Sequence, residues 1–159
     1  MENPTFRSRL AELMQKSRKA LRLYTSMGRI GSNQNTELSE MQVQQWKEVN
    51  ADLLRQISVA MESPSSRALV GDIFTLRDRF YAAGRLAEAE VHTKRRELIA
   101  SAENGDFIKA AVVSRELVLL KAREQAAQAA HHELQEVLTR SRVAPPTIEL
   151  SQDRVVLES

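Results

Sequence analysis

The chain has no cysteine in its 159 residues, which removes disulfides, thiolate nucleophiles and cysteine-based zinc sites. Aromatics are scarce: four Phe, two Tyr and one Trp. A core must therefore rest on Leu, Val, Ile, Met and Ala. Five Gly and four Pro are too few for a fold built of many turns. No run approaches the ~20 apolar residues of a membrane span. Met1-Glu2-Asn3-Pro4 opens no apolar signal segment, so a mature cytoplasmic protein is expected. Neither sign of charge dominates, since a net charge of +2 does not by itself imply nucleic acid.

What remains is rich in Ala, Leu, Glu, Arg and Gln, the residues that lose least side-chain freedom in a helix. One all-α domain is expected, an up-and-down bundle of about five helices over residues 1–143. Residues 144–159 then form an extended or disordered tail. Its segments 147–150 and 154–157 suit a strand that adds to a partner's sheet edge.

Asn3-Pro4 reads as a helix start, with Asn capping and Pro at the first helical position. Behind it Phe6, Leu10, Leu13, Met14, Leu21 and Tyr24 recur at helical steps. Gly28 to Thr36 is a loop. A second helix starts near Thr36 or Ser39 and carries Met41, Trp46, Val49, Leu53, Ile57 and Met61. Ser63-Pro64 ends it and opens a third, with Leu69, Ile73, Phe74, Leu76 and Phe80, stopping near Gly84. Arg85 to Glu103 reads as a fourth. The fifth, Phe107 to Val143, is thirty-seven residues without Gly or Pro. At ~1.5 Å per residue it is about 55 Å long, more than a small domain covers.

No constellation of residues points to catalysis. Glu88 and His92 are four apart, but two ligands do not make a metal site. The neighbours His131 and His132 point about 100° apart on a helix. Gly28-Arg29-Ile30-Gly31-Ser32 lacks the Gly-Lys-Ser/Thr ending and preceding strand of a phosphate loop. No enzyme, cofactor or metal is expected. Residues 1–35 hold seven Lys/Arg against two Glu, a balance of +5 that leaves −3 for the rest. Arg7, Arg18, Lys19 and Arg22 form a basic face on the first helix, and nucleic acid is its alternative partner.

Ser101 to Lys121 reads SAENGDFIKAAVVSRELVLLK. Gly105 can end one helix in the left-handed conformation and Asp106 can cap the next. Phe107 is expected to fill the hairpin corner, with Ala110 and Ala111 allowing close approach. The segment resembles the UVR motif, a short helical hairpin of bacterial excision-nuclease subunits and quality-control adaptors. The likeness rests on Ala102-Glu103-Asn104, Asp106-Phe107, Ala110-Ala111, Glu116-Leu117 and Leu120-Lys121. Ile108-Lys109 replaces the family's acidic pair and Ser114-Arg115 its Arg-Asp pair. The resemblance implies a protein–protein contact.

A looser resemblance, from Trp46 through Ser63-Pro64 to Gly105-Asp106, is to the helical ligand-binding domain of FadR-like GntR-family regulators. That family's metal ligands fall on Asn50, Leu54, Lys94 and Glu116, none of which matches, and no winged-helix reader precedes the region. What it implies is a degenerate effector-binding bundle, with a small ligand between helices near Trp46 and Phe80.

The leading expectation is a non-enzymatic interaction module: an adaptor, chaperone-like factor or assembly subunit. Its interface is expected on the final helix, at Ala122, Ala126, Ala129, Ala130, Leu134, Val137 and Leu138. A homodimer with these helices antiparallel, coiled-coil fashion, is the natural form.

Overall fold

The computed structural model describes residues 5–27 and 34–145, with side chains at 5–26 and 38–145. It is all-α. Four helices follow in series: α1 (Phe6–Met27), α2 (Gln34–Met61), α3 (Ser66–Glu103) and α4 (Phe107–Ser141). The expected Asn3-Pro4 start, residues 28–33 of the expected loop and the tail from residue 146 lie outside the described residues. Within them α1 is capped by Thr5, whose hydroxyl accepts from the Ser8 N–H at 3.0 Å.

The count of about five becomes four because α3 runs through Gly84 without a break. An isolated glycine costs a helix only about 1 kcal/mol relative to Ala. Helix formers flank it, and α4 packs along the whole of α3. The start of α3 also differs from expectation: Ser65, not Ser63, is its N-cap, accepting from the Ala68 N–H. The hairpin turn follows the expected chemistry. Gly105 has φ +75°. The Gly105 N–H donates to the Ala102 carbonyl and the Asp106 N–H to that of Ser101, satisfying the last carbonyls of α3. Asp106 then caps α4 by accepting from the Lys109 N–H at 3.1 Å.

Side-chain pairs fix the directions. α3 and α4 are antiparallel, joined by Lys94 to Glu116, Tyr81 to His131 and Arg77 to Gln135. α2 runs in the same sense as α4, with Met41 at Arg115 and Gln45 at Arg123. α1 runs back along α2, from Arg7 beside Met61 to Tyr24 beside Trp46. The main core joins all four helices: Leu10 and Leu13, Leu53 and Ile57, Leu69, Ile73, Leu76 and Phe80, then Ala130, Leu134, Val137 and Leu138. Each large side chain buried there contributes about 1.5–3 kcal/mol. Beyond Gly84, α3 and α4 continue around Ala87, Val91, Val113, Ala122 and Ala127, with α2 alongside α4 at Arg115 and Arg123.

Gly84 offers a test of the continuous helix. A Cβ there would lie 3.5 Å from Gln128 Cγ and 3.8 Å from Ala127 Cβ, ordinary contact distances. Gly84→Ala is therefore expected to stabilise the fold by about 0.5–1 kcal/mol, read as a higher urea midpoint with unchanged slope.

Candidate functional site

The seven α4 residues expected to form an external interface are enclosed by the chain itself. Ala122, Ala126, Ala130, Leu134, Val137 and Leu138 are buried, and Ala129 is half-buried. The expectation is corrected on this point. Ala126, Ala129 and Ala130 face α1 and α2, while Ala127 faces Gly84 of α3. The small residues bring α4 close to its own neighbours.

The basic face is also divided. Arg7 is half-buried and donates to the carbonyls of Met61 at 3.1 Å and Ser63 at 2.7 Å. Both lie at the end of α2, where unpaired carbonyls carry the negative pole of the helix dipole. Arg18, Lys19 and Arg22 are exposed. In the groove between α1 and α4, Arg9, Lys16 and Arg140 alternate with Glu12, Glu133 and Glu136. The three cations are thus matched by three carboxylates, so the basic stripe does not extend into that groove.

The histidines make local contacts. His92 Nε2 lies 4.0 Å from Glu88 Oε1, and the His131 ring stands 5.2 Å from that of Tyr81. Among the described residues no group of three or more His, Asp or Glu converges on a point. Asn50, Leu54, Lys94 and Glu116 are dispersed along the bundle, although Lys94 and Glu116 pair. Glu124 is a buried carboxylate, held by Lys121 Nζ at 3.1 Å and Gln128 Nε2 at 3.3 Å.

Two features remain without an internal role. One is the turn end of the α3–α4 hairpin. Phe107 does not fill the corner as expected; it is 74% exposed, beside Ile108 at 83%, Val112 at 53% and Ile99 at 56%. The Gly105 turn closes through backbone bonds and Asp106, so it needs no aromatic plug. The other is a cleft of about 150 Å³ between α1, α2 and α4, with Tyr24 and Trp46 at one side. Of the two residues named for an effector site, Trp46 lines this cleft and Phe80 belongs to the main core.

No family model, curated protein or solved structure matches the chain. Among the described residues, no helix is long and apolar enough to cross a membrane. The exposed apolar end had a sequence signal that a corner reading conceals. Ile108 and Val112 are four apart, on a different side of α4 from the buried Val113.

Two measurements test the polar assignments. Arg7→Ala is expected to lower stability by about 1–2 kcal/mol in urea unfolding, and Arg7→Lys to restore it only in part, because one ammonium does not reproduce two guanidinium bonds. Lys94 bonds to Glu116 at 2.5 Å and Glu97 at 3.4 Å. The hydrogen bond to Glu116 raises its pKa above the ordinary 10.5, against a smaller lowering by desolvation and with help from Glu97. A raised folded-state pKa gives stability that is complete below the unfolded value and lost as pH rises through the folded one. Lys94→Met is expected to remove that alkaline decline from the stability–pH curve.

Proposed function

We propose that this protein is a non-enzymatic helical interaction module, of the adaptor or assembly-subunit kind. Its docking surface is the turn end of the α3–α4 hairpin, and its partner there is a second copy of the chain. The supporting observation is that Ile99, Phe107, Ile108 and Val112, on either side of the Gly105 turn, are each exposed. Apolar surface of this kind is unfavourable in water by ~25 cal/mol per Å², and such patches mark interfaces.

Continuity with the internal packing supports the reading. At 100° per residue, Ile108, Val112 and Leu119 stand on the same side of α4 as Ala126 and Ala130. That stripe is covered by α1 and α2 at the alanines and emerges exposed at Ile108. A second copy, related by a two-fold axis with its hairpin antiparallel, would continue the cover over these side chains.

Sedimentation of the wild type across micromolar concentrations is expected to show a monomer–dimer equilibrium. Ile108→Asp with Val112→Asp should weaken it about a hundredfold or more while leaving helicity unchanged, since losing about 3 kcal/mol of apolar burial corresponds to two decades. A wild type that stays monomeric throughout would overturn self-association at this surface.

A further inference from the structure

We propose that the cleft between α1, α2 and α4 is a binding site for one small uncharged aromatic molecule, a single ring bearing a hydroxyl or carbonyl group. This inference is independent of the hairpin end, which lies on a different part of the molecule.

The cleft exists because four alanines meet where the rest of the bundle uses larger side chains. Ala20 of α1 faces Ala126, Ala129 and Ala130 of α4, and Leu13, Val49 and Leu53 complete the apolar wall. The volume is about 150 Å³, the size at which an apolar cavity takes up benzene. Tyr24 and Trp46 stand at one side with ring centroids 6.5 Å apart and planes at 50°. That angle suits a third ring packing edge-to-face against either of them.

The polar groups select against charge. Lys16 and Glu133 border the cleft, but they bind each other at 2.5 Å, so neither presents an unmatched charge to a ligand. Asn50 and Tyr24 line it too, and their side chains carry an amide and a hydroxyl. Both groups can donate as well as accept, so a neutral hydroxyl or carbonyl is the group they fit. An apolar wall with a few convergent polar atoms is the usual composition of a small-molecule site.

Trp46 is the sole tryptophan, so its fluorescence reports on this cleft alone. Titration of the full chain with para-cresol, excited where phenols do not absorb, is expected to give a saturable change with Kd on the order of 0.1–1 mM. Benzoate, similar in size but anionic, should bind at least ten times more weakly. Ala129→Leu and Ala20→Leu each fill the cleft from a different helix and should abolish saturation while circular dichroism stays unchanged. The melting temperature of the wild type should rise with para-cresol, a readout that needs neither variant to fold. A linear, unsaturating response with no thermal shift would overturn the site, as would equal saturation in a folded Leu variant. Tighter binding of benzoate would overturn the assignment to uncharged ligands.

Discussion

The structure depends on α4 being enclosed from two directions. A helix on the surface of a bundle buries one stripe, but α4 meets α3 on one side and α1 with α2 on another. Alanine makes this possible. Ala126, Ala129 and Ala130 face α1 and α2, whereas Ala127, one position away, faces Gly84 of α3. Neighbouring alanines thus serve opposite neighbours, and large residues at all four positions would hold the flanking helices apart. Helix axes come within ~8–10 Å only where the side chains between them allow it.

The enclosure is uneven along the helix. Towards its C-terminal end, Leu134, Val137 and Leu138 meet apolar side chains from all three other helices, and the core is thick. Towards the turn, α3 becomes the main neighbour, and its contribution shifts from Leu, Ile and Phe to Ala87, Val91 and Ser101. A polar tie takes over part of the contact there, at Lys94–Glu116. Exposed ion pairs are worth at most about 1 kcal/mol each, so this end is held by shape and helix propensity more than by burial. Ile99, Phe107, Ile108 and Val112 lie exposed there.

Helical periodicity and capping residues made much of this legible. The stripes Leu10–Leu13, Leu53–Ile57 and Leu69–Ile73–Leu76–Phe80 enter the core, and Gly105-Asp106 forms the turn through the expected backbone geometry. Gly84 misled because a helix end and a helix packing position place the same residue in the sequence; only the partner helix distinguishes them. The alanine stripe of α4 misled for a related reason. Periodicity shows that a face will be buried, but not whether the burying surface comes from the same chain. Arg7 carries no local signal at all, since its carbonyl partners lie more than fifty residues away in α2 and the turn beyond it.

The two surfaces left over have a common origin in that central helix. Where α1 and α2 cover alanines, a cleft remains over residues so small, with Tyr24 and Trp46 at one side. Towards the turn the same stripe carries Leu119, half-buried between the α2 contacts of Arg115 and Arg123, and then Val112 and Ile108, which are exposed. One position has cover without filling and the other has filling without cover. A ligand the size of one ring would complete the first, and an apolar surface from another molecule the second. Neither completion requires α4 to move, so occupation of one leaves the packing that defines the other intact.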